Sequence, residues 1–234
     1  MTKTTQPEFD AYRDTYVDTV EQSISFSGLS HDFFQRSKAL MIRDLLALRL
    51  PERPMPKLLD VGCGIGALHP LLSSMFSSIH GVDISSKSIE RARLENPDNL
   101  YRVYDGERLP FADNSFDMAL SICVMHHVPV KQWTGFMAEL TRVVSPGGIV
   151  CLIEHNPLNP GTRISVARCP FDADAVLIGT RRMRGYMGRA GLTNVATRNF
   201  VFFPTNRQLF RMLERRLHWL PLGAQFAAIG EVPV

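Results

Sequence analysis

The hydrophobic and polar positions along the chain fall into two regimes. Near the start they recur at spacings of three and four. Phe9, Tyr12, Tyr16, Val17 and Val20 mark one amphipathic helix, and Phe33, Phe34, Leu40, Met41, Leu45, Leu46 and Leu48 mark a second. Ser30, ahead of His31 and Asp32, is placed to cap the second helix, which the pattern carries to about Leu48. Pro51, Pro54 and Pro56 then stop any helix, because a proline offers no backbone N–H and pushes the residue before it toward extended angles.

From Lys57 the rhythm changes to short apolar runs alternating with helical stretches. Lys57 to Asp60 predicts a first strand, followed by a glycine-rich turn and a helix opening at about Ala67. Ile79 to Ile84 predicts a second strand, Ser86 to Glu95 a helix, Leu100 to Asp105 a third strand and Phe116 to Cys123 a fourth. A helix from about Val130 to Val144 and a turn at Ser145-Pro146-Gly147-Gly148 lead into a fifth strand, Ile149 to Glu154. Its near-continuous apolar character suits a parallel strand covered on both faces.

Beyond Glu154 the pattern loosens. His155 to Asp174 contains three prolines and few apolar residues, and reads as an insertion over the sheet. A helix from about Arg181 to Ala190 ends at Gly191, a suitable C-terminal cap. Val195 to Phe203 and Gln225 to Val232 predict the last strands, with a helix from about Asn206 to Leu217 between them. Repeated strand, crossover helix and strand imply an α/β fold, a Rossmann-like doubly wound sheet with helices on both faces.

Composition narrows this further. With 234 residues, 45% of them hydrophobic, the chain suits one domain with a full core. A net charge of +3 falls short of the basic stripes of an obligatory nucleic-acid binder. The four cysteines, Cys63, Cys123, Cys151 and Cys169, form no CxxC pair and point to reduced thiols in the cytoplasm. No signal peptide and no apolar run long enough for a transmembrane segment is visible, and the oligomeric state is left open.

Candidate chemistry gathers around Gly62-Cys63-Gly64-Ile65-Gly66-Ala67, which alone also satisfies the dinucleotide pattern GxGxxA. The residues ending the neighbouring strands add information, because ligands of open α/β sheets collect there. A carboxylate at Asp60 repels a pyrophosphate and suits a ligand carrying an ammonium group. Asp83 can accept hydrogen bonds from both hydroxyls of a ribose. Asp105-Gly106 suits an adenine amino group, with Ile84 on the ring, and Cys123 falls beside the reactive end of the ligand.

Taken together, these motifs resemble the class I S-adenosylmethionine-dependent methyltransferases, especially the small-molecule group that includes the ubiquinone and menaquinone biosynthesis enzymes. The matching residues are Asp60 to Gly66, Gly81-Val82-Asp83-Ile84-Ser85, Leu109-Pro110-Phe111 with Ser115-Phe116-Asp117, Val124-Met125-His126-His127-Val128 and Glu139 to Gly148. The resemblance covers about Lys57 to Glu154. It implies a seven-stranded sheet, mostly parallel, with an antiparallel last strand. It also implies S-adenosylmethionine as cofactor: Gly62, Cys63, Gly64 and Gly66 at the methionine part, Asp60 at the amine through water, Asp83 at the ribose, and Asp105 with Gly106 at the adenine.

The chain then divides into an N-terminal helical lid (1–50), a cofactor-binding core (57–154), a substrate-side insertion (155–180) and C-terminal helices and strands (181–234). The expected reaction moves a methyl group to a small-molecule acceptor, to oxygen first, with nitrogen or carbon next. An oxygen acceptor needs its proton removed, and His126, His127 and His155, at the ends of the fourth and fifth strands, are the catalytic candidates. Tyr12 and Tyr16 are candidates to close over the cofactor. Arg163, Arg168 and Arg181 could meet an anionic group of the acceptor, and Arg207, Arg211 and Arg215 read as a solvated face. No spacing among the Cys and His residues matches a metal-ligand pattern, so no metal is expected. The rival readings are a dinucleotide-dependent oxidoreductase and a non-catalytic module that binds S-adenosylmethionine.

Overall fold

The computed structural model describes residues 15–234, so Phe9 and Tyr12 lie outside the described residues. Seven strands form one sheet: β1 (Lys57–Val61), β2 (Ser78–Asp83), β3 (Leu100–Val103), β4 (Phe116–Ile122), β5 (Val144–His155), β6 (Thr193–Phe200) and β7 (Gln225–Glu231). Their order is β3-β2-β1-β4-β5-β7-β6, and only the pairings of β7, with β5 and with β6, are antiparallel. From β1 the chain builds outward through β2 to β3, then returns to lay β4 on the other side of β1. The crevice at such a reversal, outside the carboxyl ends of β1 and β4, is where open α/β sheets bind ligands.

The alternation of side chains along each strand explains why both faces are covered. Leu59, Ala119, Val150 and Leu152 are buried in a cluster with Trp133, Phe136, Met137 and Leu140 of α5 (Trp133–Arg142) and Met183 and Met187 of α7 (Thr180–Arg189). Their strand neighbours Leu58, Met118, Leu120, Cys151 and Ile153 join the opposite cluster with Ile42 and Leu45 of α2 (His31–Arg49) and Leu72 of α3 (His69–Leu72). Each of the leucine, isoleucine, valine, methionine and phenylalanine side chains contributes about 1.5–3 kcal/mol on burial. That sum makes the central strands rigid enough to aim the residues at their ends.

The remaining helices are α1 (Tyr16–Ile24), α4 (Ser86–Glu95), α6 (Pro160–Arg168) and α8 (Gln208–Leu217). The Ser30 hydroxyl caps α2 by accepting the Phe33 N–H at 3.2 Å, as its position predicts.

Four expectations are corrected. The helix after the glycines opens at His69, not Ala67, and lasts four residues, so it supplies no sustained helix terminus to a ligand. The expected turn at Ser145 to Gly148 lies inside β5 as an irregularity: Phe116 pairs with Val144, whereas Met118 pairs with Ile149. The extra residues are accommodated by Gly147 at φ +72° and by reciprocal backbone bonds of Gly147 and Gly148 with Val232. Within the insertion, Asn159 caps α6 by accepting the Thr162 N–H at 2.9 Å, with Pro160 in the first turn, a start signal that the low apolar content obscured. Finally, Arg211 and Arg215 are not simply a solvated face, because both pair with Asp44 of α2.

Candidate active site

The glycine turn after β1 is built around left-handed backbone. Gly62, Gly64 and Gly66 have φ of +78°, +53° and +70°. A Cβ at Gly62 would meet Val124 at 2.3 Å and one at Gly66 the Tyr101 hydroxyl at 2.7 Å, whereas one at Gly64 would meet no described residue within 4 Å. Gly62 and Gly66 are therefore fixed by their neighbours, and Gly64 borders open space. Asp83, at the end of β2, holds the turn: it accepts the Gly64 N–H at 2.8 Å and the Ser85 N–H at 2.9 Å. Burial raises the pKa of Asp83, while those two amides pull against the rise.

Asp60 is buried beneath the turn. Its Oδ2 lies 3.0 Å from His69 Nε2, and His69 Nδ1 lies 2.6 Å from the Tyr101 hydroxyl. A carboxylate only accepts, so the imidazole donates to Asp60 from Nε2. The other oxygen, Asp60 Oδ1, is buried without a hydrogen-bond partner among the described residues. Such an atom costs roughly 1–3 kcal/mol until a donor reaches it, so a ligand with an ammonium group fits this position and a pyrophosphate does not. His69 and Tyr101 were not among the sequence candidates. Their link to Asp60 exists only through tertiary packing.

The expected adenine-side residues are grouped on the same side of the sheet. Ile84 is 39% exposed, an apolar surface unusual at a strand end, and it lies next to Gly106 at φ +81°. Asp105 Oδ1 accepts the Glu107 and Arg108 N–H groups, which lowers the pKa of its carboxyl. Cys123 follows β4 at φ +54°, and burial raises the pKa of its thiol, as it does for Cys63.

The three candidate histidines converge. The ring of His126 lies 4.1 Å from that of His127 and 5.2 Å from that of His155, centroid to centroid. His126 is buried, and its Nδ1 lies 2.5 Å from Glu154 Oε2. Glu154 Oε1 accepts the Val124 and Met125 N–H groups, which locks the carboxylate in place. Asp172 completes the group. Its Oδ1 lies 3.3 Å from His127 Nε2 and 3.6 Å from His126 Nε2.

The electrostatics of this group follow from its composition. Burial alone would push the His126 pKa down, but Glu154 and Asp172 outweigh it and hold the value well above the ordinary imidazole range. Burial likewise works against the Glu154 and Asp172 carboxylates, yet the histidines hold both below their usual values. His155 goes the other way: burial, reinforced by His126, lowers it to about 4, so it is neutral at physiological pH.

Asp172 lies in the insertion and was missed by sequence reading, because nothing local marks it. The structure brings it in through the Val176 N–H, which donates to the His126 carbonyl at 2.9 Å. Tyr16 of α1 stacks on Phe171, with ring centroids 5.6 Å apart, and burial beside Cys123 and Asp172 raises its hydroxyl pKa. Of the three candidate arginines, Arg163 and Arg168 line a cavity of about 390 Å³ together with Asp172, and Arg181 lines another of about 590 Å³ with Asn156 and Tyr186.

Comparison with known proteins is consistent with this geometry. Residues 59–152 match the family described as "Methyltransferase domain". The chain is 35% identical over 159 residues to 24-methylenesterol C-methyltransferase 2 of Arabidopsis thaliana, which covers 61% of this chain and 42% of that protein. It is 30% identical over 167 residues to 27-O-demethylrifamycin SV methyltransferase of Amycolatopsis mediterranei, covering 65% of this chain and 60% of the relative. The chain thus spans about half the length of these relatives. Among solved structures, phosphoethanolamine N-methyltransferase 2 of Haemonchus contortus, in complex with S-adenosyl-L-methionine, shares the fold with a TM-score of 0.64 at 17% identity, over 97% of this chain and 60% of that one.

Proposed function

We propose that this chain, which carries a class I S-adenosylmethionine-dependent methyltransferase domain, transfers a methyl group to a small-molecule acceptor and that the atom methylated is an oxygen. The observation that carries the donor half is the buried Oδ1 of Asp60, unpartnered among the described residues, beneath a left-handed glycine turn. It fits the amino-acid end of S-adenosylmethionine and opposes the dinucleotide reading. Asp60 would hold the amine, and Gly62, Cys63, Gly64 and Gly66 would admit the methionine chain. Asp83 would take the ribose hydroxyls, Ile84 the adenine face, and Asp105 with Gly106 its edge, with Cys123 bordering the reactive end.

Bound there, S-adenosylmethionine would supply a methyl group already activated on a sulfonium. The chain's own residues then have to align the acceptor and exclude water, and alignment alone can be worth roughly 7–11 kcal/mol. Preference for oxygen is supported by the cluster of His126, His127 and His155, imidazoles that Glu154 and Asp172 hold where β4 and β5 end. His126, clamped between two carboxylates, positions the group. The His127 side chain is 20% exposed, and burial keeps His155 neutral, with a pKa of about 4. Residues 1–50 would act as the lid, with Tyr16 closing over the cofactor, and residues 155–180 would shape the acceptor side.

The test is a panel of phenols, hydroxylated polyketides, sterols and amines incubated with isotopically labelled S-adenosylmethionine, read by mass spectrometry. Label on the oxygen of one acceptor class supports the reading. Label on carbon or nitrogen overturns the oxygen assignment. Calorimetric binding of the cofactor without turnover on any acceptor would favour a non-catalytic binding module.

A further inference from the structure

We propose that His126 Nε2, His127 Nε2 and Asp172 Oδ1 form a binding site for one divalent transition-metal ion. The three ligand atoms all lie within 4.8 Å of one another. Asp172 Oδ1 stands 3.3 Å and 3.6 Å from the two imidazole nitrogens. Charge-assisted hydrogen bonds between such groups run about 2.7–2.9 Å, so these spacings are too long for good ones. They match the edge of a tetrahedron around a metal with ligand bonds of about 2.0–2.2 Å, which is roughly 3.3–3.6 Å.

His126 supplies the independent observation. Among the described residues its buried Nε2 has no hydrogen-bond partner, although it faces the Asp172 carboxylate at 3.6 Å. At the other edge of the same ring, Nδ1 is held by Glu154, whose second oxygen is fixed by two backbone amides. An entering cation would displace the proton from Nε2 while Glu154 keeps the hydrogen on Nδ1, and an outer carboxylate of this kind orients metal-ligating histidines generally. Two carboxylates meeting at one buried imidazole also create a demand for positive charge that an ion would meet.

The donor set selects the ion. Two imidazoles and one carboxylate suit Zn²⁺, Fe²⁺ or Co²⁺, whereas Mg²⁺ and Ca²⁺ prefer all-oxygen surroundings. Three protein ligands leave a coordination position open, the arrangement of reactive and not of structural zinc sites. Access exists, since Asp172 lines the cavity of about 390 Å³ and the His127 side chain is 20% exposed. Sequence spacing predicts no such site, because Asp172 comes from the insertion, far along the chain from the adjacent histidines. A role for the ion in polarising an acceptor hydroxyl rests on the oxygen transfer proposed above. Its binding does not.

The experiment titrates chelator-treated, full-length protein with Co²⁺, followed by visible absorption, and with Zn²⁺ by equilibrium dialysis. One equivalent should bind, with the intense absorption of low-coordinate Co²⁺. His127→Gln and Asp172→Asn should each weaken binding by roughly a hundredfold, and Glu154→Gln by the ~10–100-fold typical of an outer partner. Circular dichroism checks that each variant is folded. For wild-type protein, Zn²⁺ should shift the Nε2 resonances of His126 and His127 and leave those of His80 in place, a reading that needs no variant. Absence of stoichiometric binding, unchanged affinity in folded variants, or unmoved resonances overturns the site. Calorimetry with S-adenosylmethionine, run in parallel, reports separately on the donor site, so failure of one reading is distinguishable from failure of the other.

Discussion

Asp83 accepts the Gly64 amide at 2.8 Å, so the carboxylate at the end of β2 holds the glycine turn that follows β1. The same side chain also fixes Ser85 at the start of α4, and three consecutive parts of the site share one anchor. Asp83 is therefore part of the scaffold as well as a candidate ribose ligand.

Asp83→Ala removes two amide acceptors and the acceptor for the ribose. Hydrogen bonds to charged groups are worth about 1.5–3 kcal/mol each, so affinity for S-adenosylmethionine should fall by at least roughly tenfold. Hydrogen exchange at Gly64 and Ser85 should rise together with that loss. Calorimetry showing wild-type affinity would exclude the assignment.

For Asp60, the unpartnered Oδ1 makes a more selective expectation. Asp60→Asn preserves shape but removes the charge facing a ligand amine. S-adenosylhomocysteine should bind more weakly by roughly tenfold, while 5′-methylthioadenosine, which lacks the amino-acid part, should bind as before. Equal losses for both ligands would mean that Asp60 serves the turn and not the amine.

Gly62→Ala should destabilise the fold by more than ~1 kcal/mol, from a Cβ 2.3 Å from Val124 and a backbone at φ +78°. Adding Val124→Ala should relieve the contact but not the backbone strain, so recovery in urea unfolding should be partial. Full recovery would show that only the contact matters.

Glu139 and Arg142 of α5 brace the segment before β4. Arg142 donates to Glu139 and Asp113, each at 2.7 Å, and to the Leu109 and Phe111 carbonyls, while Glu139 accepts the Leu109 N–H. Arg142→Ala should cost about 1–3 kcal/mol in thermal or urea unfolding. Hydrogen bonding to Arg142 lowers the Glu139 pKa from its ordinary 4.5. A depressed carboxyl stabilises the fold above the unfolded value, and that contribution is lost as pH falls through the folded one. Glu139→Gln should thus be less stable than wild type at neutral pH, with the gap closing below about pH 4. A gap that persists at low pH would assign the effect to packing.

Much of the core was legible from local pattern. The β2, α4 and β4 assignments rest on apolar runs and cap residues that act within a few positions, and the observed spans agree to within one residue. The antiparallel last strand follows the family resemblance and is found in β7. Misreadings occur where a distant segment decides the outcome. Ser145 to Gly148 has turn composition, yet it continues β5 because Val232 satisfies its backbone groups. Arg211 and Arg215 look solvated until Asp44 is known to lie beside them.

The candidate site divides in the same way. The residues proposed for the cofactor come from the turn after β1 and the ends of neighbouring strands. Strand order and the left-handed preference of glycine bring them together, so their chemistry can be read along the sequence. The histidine cluster is different. His126 and His127 are adjacent in sequence, but their environment is made by Glu154, His155 and Asp172, which approach only when β5 pairs with β4 and the insertion folds back through Val176. Sequence by itself determined the sheet and the identity of the strand-end residues, because hydrophobic period and backbone preference are local. Tertiary structure alone decided which carboxylate faces which imidazole, because a charge acts through space and a buried group is held by whatever the fold places next to it.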